Sequence, residues 1–96
     1  MKRSNSEHIG SVIQRYLRQQ GLETPLNQYR LVASWKDVAG PVVVRYTRSV
    51  FIKNQTLYVQ LTSSVLRQEL AAGADILVRN LNGRVGAQVI TGIVFY

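Results

Sequence analysis

Two short strand-like segments separated by only two residues fix the middle of this chain. Ser49–Lys53 and Thr56–Leu61 flank the pair Asn54-Gln55. A connection that short between two strand-like segments predicts an antiparallel β-hairpin. In the second segment Leu57, Val59 and Leu61 face one way, and Thr56, Tyr58 and Gln60 face the other. One face therefore packs on helices and the other is wetter. Tyr58 is expected on the wetter face, near Phe51 or Val50 of the paired strand. A ring exposed there is a candidate for stacking on nucleic-acid bases. The competing reading is ordinary cross-strand packing.

The hairpin is flanked by helical patterns. From Ser6 to Gln20, Ile9, Val12, Ile13, Tyr16 and Leu17 recur as one apolar stripe. Ser4 and Glu7 match a capping box, and Gly21 is a natural stop. Arg15 and Arg18 lie off the stripe. Thr24 suits the N-cap and Pro25 the first position of a second helix, in which Leu31, Trp35, Val38 and Val42 recur at helical spacing. Gly40-Pro41 interrupts the run. A short helical continuation to about Arg45 is expected, with a strand at Val42-Val43-Val44 as the rival. Trp35 is expected in the core.

After the hairpin, Ser63-Ser64 supplies an N-cap for a long third helix, with Leu66, Leu70, Leu77 and Leu81 on its buried side. Gly73 either permits close packing or divides that helix. Asn82-Gly83 is expected to end it. A final strand is predicted over Gln88–Phe95. The order α-α-β-β-α-β implies a small α+β domain, a three-stranded sheet with helices packed on one face. The last strand should lie beside a hairpin strand in a mixed sheet, because a β-α-β crossover brings it back there.

With 96 residues, 46% of them hydrophobic and 18% charged, the chain is expected to form one globular domain over residues 1–96. Residues 1–5 form a basic N-terminal arm. No apolar run approaches the roughly 20 residues of a membrane span. The basic start is not followed by the apolar stretch of a signal peptide, so a cytoplasmic location and no membrane partner are expected. No cysteine and a single histidine leave little for a metal site or thiol chemistry.

The inventory for catalysis is thin. His8 reads as an exposed residue near a helix start, and the five carboxylates form no close pair in sequence. Lys36-Asp37 reads as a solvated helix edge. Ser63-Ser64 is better explained as a cap than as a nucleophile. The expectation is a chain that is not an enzyme, with no cofactor, no metal and no small-molecule substrate. Gly83-Arg84-Val85-Gly86 matches G-x-x-G, a pattern that in K-homology domains joins two helices and clamps a nucleic-acid backbone. Here it falls between a helix and a strand and reads as turn glycines, with Arg84 still placed to touch phosphate.

Charge is the stronger signal. The net charge is +7, and eight of twelve basic residues but only three of five acidic ones fall in the first 48. Such an asymmetry matches an electrostatic footprint for phosphates, although basic patches also serve acidic proteins and solubility. The candidate phosphate contacts are Lys2, Arg3, Arg15, Arg18, Arg45, Arg48, Lys53 and Arg84, with Tyr58 for stacking.

Trp35-Lys36-Asp37-Val38-Ala39-Gly40-Pro41, then Tyr46-Thr47, Thr56-Leu57-Tyr58-Val59, Ser63-Ser64, Glu69-Leu70 and Leu81-Asn82 together resemble the DciA family, over most of the chain. The resemblance implies a K-homology-like fold, DNA binding and help in placing the replicative helicase on DNA in bacteria. It also implies that Trp35 and Leu57 are core, Gly40 a close packing point and Ser63 a cap. Family members usually carry a glycine before the Leu-x-Val strand, where this chain has Asn54-Gln55. Longer members have a C-terminal tail linked to helicase contact, whereas here Tyr96 follows the last predicted strand directly. The expected function is a non-enzymatic DNA-binding accessory protein of replication. RNA and the helicase itself are the other candidate partners. The alternative is a protein-interaction module that docks on the helicase or another replication protein.

Overall fold

The computed structural model describes residues 10–13, Arg15 and 23–96. Residues 10–13 and Arg15 are helical. The proposed arm, the Ser4–Glu7 capping box, His8 and the Gly21 stop lie outside the described residues. Val12 and Ile13, two members of the predicted apolar stripe, are 44% and 52% exposed.

The next helix, α1, spans Glu23–Ala39. Pro25 sits in its first turn, where a missing N–H is tolerated. Leu31 and Trp35, one turn apart, bury its inner side at 0% and 3% exposure. Gly40 then turns the chain at φ 89°, ψ 166°, a region that is essentially glycine-only. A Cβ built there would meet nothing within 4 Å. Gly40 therefore serves by its backbone angles and not as the close packing point that the family resemblance implied. A five-residue helix, α2, follows over Pro41–Arg45, so the rival strand at Val42–Val44 is excluded.

Strand β1 spans Thr47–Lys53 and β2 spans Thr56–Leu61. They pair antiparallel with Phe51 opposite Tyr58 and Lys53 opposite Thr56. The first strand starts two residues before the predicted Ser49, and a bulge explains why its beginning was hidden. Between Thr47 and Ser49 the partner strand advances only from Leu61 to Gln60, leaving Arg48 as the extra residue. Such an insertion breaks the alternation that a strand is read from. At the turn both Asn54 (φ 52°) and Gln55 (φ 61°) are left-handed, which defines a type I′ turn built without the usual glycine.

The predicted long third helix is two helices. Ser63 caps α3 (Ser64–Ala72), its hydroxyl accepting from the Leu66 N–H at 3.2 Å. Gly73 ends α3 and starts α4 (Ala74–Val85). The second helix runs past Asn82-Gly83 and stops at Gly86, whose φ of 82° forms the left-handed cap. Strand β3 is shorter than expected, Gly92–Phe95 in place of Gln88–Phe95. It lies parallel to β2, so the sheet order is β1-β2-β3 and the sheet is mixed.

The lead-in to β3 is held by a side chain. Asn82 Oδ1 accepts from the N–H groups of Val89 (3.0 Å) and Ile90 (3.2 Å), and its Nδ2 donates to the Ile90 carbonyl (2.9 Å). These bonds satisfy Val89 and Ile90 in place of a strand ladder, and Ile90 is fully buried. The core is Leu31, Trp35, Leu57, Val59, Leu61, Leu81 and Ile90. It fills the space between the inner sheet face and the helices, as the alternation of β2 requires. Trp35 and Leu57 are core residues and Ser63 is a cap, as the resemblance implied.

Candidate nucleic-acid interface

The bulge decides where the cations of β1 go. Arg48, the extra residue, is exposed, as are Arg45 at the end of α2 and Lys53 at the hairpin end of β1. A strand rises about 3.3 Å per residue, so Arg48 and Lys53 stand roughly 17 Å apart along β1. Among the described residues this strand has a partner on one side only. An open cleft of about 410 Å³ runs beside it, between α1 and β1. Val32, Val44 and Val50 give the cleft an apolar floor, and Lys36 and Arg48 contribute its cations. Among the described residues no carboxylate lines it.

A second cleft of about 400 Å³ lies between the end of α1 and α4. Asp37, Arg79 and Arg84 line it. The Arg84 Nη2 donates to Asp37 Oδ2 at 3.0 Å, with both side chains about half exposed. Arg84 thus belongs to the last turn of a helix and is ion-paired, not presented on a free turn as the G-x-x-G reading placed it. The four residues of that pattern are helix end and cap, so they form no clamp between two helices. Lys36-Asp37 is a solvated edge, with the carboxylate engaged by Arg84.

The outer sheet face, turned away from the helices, carries three cross-strand rows. Lys53, Thr56 and Gly92 form the first, and Phe51, Tyr58 and Val94 the second. The third is Ser49, Gln60 and Tyr96. The backbone bonds from Tyr96 N–H to Val59 and from Leu61 N–H to Tyr96 place that last residue beside Gln60. The Phe51 and Tyr58 rings stack at 5.0 Å between centroids and 9° between planes. Tyr58 lies on the wetter face opposite Phe51, as the alternation predicted. Ser49 Oγ donates to Gln60 Oε1 and pairs with the Tyr96 hydroxyl, both at 3.3 Å.

The structure thus gathers Arg45, Arg48 and Lys53 on one stretch of chain and sets Arg84 apart in the second cleft. Arg15 is exposed on its helical segment. Lys2, Arg3 and Arg18 lie outside the described residues. Sequence reasoning did not place Lys36 and Arg79 among the site residues. Lys36 follows Trp35, and a residue next to one that faces the sheet sits at the rim of that packing. That signal was available. Arg67 has a structural task, its Nη1 donating to the Leu61 carbonyl at 2.9 Å.

Among the described residues no group of three or more His, Asp or Glu side chains could hold a metal ion. No helix among them is long and apolar enough to cross a membrane.

A small α+β domain with a mixed three-stranded sheet and a cation-lined cleft at its edge strand is the class the fold defines. The family described as Dna[CI] antecedent, DciA, matches residues 8–95, and the chain belongs to it. That family comprises accessory proteins of the helicase-loader type, so membership ties the chain to loading of the replicative helicase in bacterial DNA replication. No curated protein matches the sequence.

Proposed function

We propose that this chain is a non-enzymatic DNA-binding domain that takes part in placing the replicative helicase by gripping the phosphate backbone. The observation that carries the reading is the cleft beside β1, where Lys36 and Arg48 flank an apolar floor with no described carboxylate among its lining. Arg45 and Lys53 extend the line of charge at either side. Arg15, and in sequence Lys2, Arg3 and Arg18, add to the positive charge of the chain. Contacts of this kind recognise polyanion, not base sequence. The half-neutralised Asp37–Arg84 cleft is secondary.

Titrating labelled single- and double-stranded DNA by fluorescence anisotropy at several salt concentrations tests this. Four phosphate contacts predict a loss of affinity of about 50- to 150-fold between 50 and 200 mM salt. Arg45→Ala with Arg48→Ala should weaken binding and flatten the log–log slope by about 1.4 on single strands. An unchanged slope removes both residues from the footprint, and stronger binding to RNA of the same length reassigns the partner.

A second reading, docking on the helicase without DNA contact, draws on the exposed Val12 and Ile13. It predicts a complex that tolerates salt and survives nuclease. A complex lost on nuclease treatment is bridged by DNA.

A further inference from the structure

We propose that the outer sheet face is a stacking platform for the bases of single-stranded nucleic acid. The inference rests on the DNA-binding reading and adds to it a second surface, which reads bases and not phosphates.

Phe51 and Tyr58 are parallel and stacked. Tyr58 lies between Phe51 and Val94 in its row, so the π-face on which a further ring can continue the stack is the outer face of Phe51. Phe51 is on the edge strand and 43% exposed, so its free side looks away from the sheet. Tyr96 supplies a third ring. Its hydroxyl meets Ser49 on β1 while its backbone pairs with β2 from the other side. The side chain therefore reaches across β2 and lies along the sheet, 44% exposed. Val94, in the row of Phe51 and Tyr58, is 42% exposed. An open face with this much aromatic and apolar surface calls for an occupant.

Charge indicates which occupant. Lys53 lies on this face two residues from Phe51, and no carboxylate side chain occurs in the three rows. Rings bordered by a cation suit a ligand that alternates π-faces with anions, which is the chemistry of a single strand. In a duplex the bases are already stacked on each other and their faces are not available. The platform and the cleft meet at β1, where Arg48 turns towards the cleft and Phe51 towards the platform, so one strand of nucleic acid can engage both.

The experiment compares a short oligothymidylate with an abasic deoxyribose-phosphate oligomer of equal length and charge, by anisotropy. The wild-type chain should bind the oligothymidylate more tightly, by about 5- to 160-fold for each stacked base. Phe51→Leu keeps the apolar bulk and, with Tyr58→Leu, should close most of that gap while leaving the salt slope unchanged. Arg48→Ala should instead weaken both oligomers and flatten both slopes. Circular dichroism melts confirm that each variant is folded. Equal wild-type affinity for the two oligomers, with a steep salt slope, overturns the platform and leaves phosphate binding intact. Absence of binding to either overturns both. A wild-type dimer that Phe51→Leu dissolves and oligothymidylate does not displace also overturns the platform, by assigning the face to a second copy of this chain.

Discussion

The indole N–H of Trp35 donates to Thr47 Oγ1 at 3.3 Å, and that hydroxyl donates in turn to the Val43 carbonyl at 2.8 Å. One residue of β1 thereby ties α1 and α2 together at the wall of the cation-lined cleft. The bond satisfies the one polar atom of a side chain that is 3% exposed. Thr47→Val keeps the shape and leaves the N–H without its acceptor, which should cost about 1–3 kcal/mol. Trp35→Phe removes the donor, so the double variant should lose less than the sum of the single losses. Chemical denaturation of the four proteins measures this, and strict additivity would mean that the bond contributes nothing.

Two left-handed positions predict substitutions of opposite sign. Gly40 has backbone angles that a Cβ opposes, although nothing crowds it. Gly40→Ala should therefore cost about 1–3 kcal/mol. Gln55 holds a left-handed angle without being glycine. Gln55→Gly relieves that cost and keeps the carbonyl that accepts from the Thr91 N–H at 2.8 Å. It should raise stability by up to about 1 kcal/mol, the relief being offset in part by the freer unfolded chain. Thermal melts that shift the same way for both variants would contradict the assigned turn geometry.

Asn82 is the third structural test. Its amide satisfies three backbone groups of the segment leading into β3. Asn82→Ala leaves all three without that partner beside the buried Ile90, with an expected loss of about 2–4 kcal/mol. The Ile90 amide should also exchange faster with deuterated solvent, which separates loss of this clasp from a general loss of stability. An Ile90 amide as protected as before would show that the backbone finds other partners.

The parts of the fold that repeat with a period were legible in the sequence, and the parts held by single residues were not. β2 was placed to the residue because Leu57, Val59 and Leu61 alternate cleanly with Thr56, Tyr58 and Gln60. The start of β1 was missed because Arg48 inserts into the alternation. The last strand was overextended because Val89 and Ile90 have strand composition, yet their polar backbone atoms bond to Asn82 in place of a neighbouring strand. The break at Gly73 was visible as an option, since glycine both weakens and permits a helix, and only packing decides between the two. For the site, the cations were legible as a list of exposed charges. Which of them share a cleft depends on the α1–β1 packing, so Lys36 entered and Arg84 withdrew only once that packing was known.

The Asp37–Arg84 pair carries the last prediction. Both side chains are about half exposed, and a solvated pair of this kind stabilises a fold by no more than about 1 kcal/mol. Its electrostatic effect on a polyanion is larger in kind, because Asp37 cancels a guanidinium that otherwise stands near Arg79 in the second cleft. Asp37→Asn removes one negative charge and frees Arg84 for phosphate. Stability should stay within about 0.5 kcal/mol of wild type. DNA should bind more tightly at low salt, with the slope steeper by about 0.7 on single strands for one added contact. Arg84→Ala should move in the opposite direction at equal stability, because it exposes Asp37 to the approaching strand. If Asp37→Asn left both affinity and slope unchanged, DNA would not reach the α1–α4 cleft, and the footprint would be confined to the β1 edge.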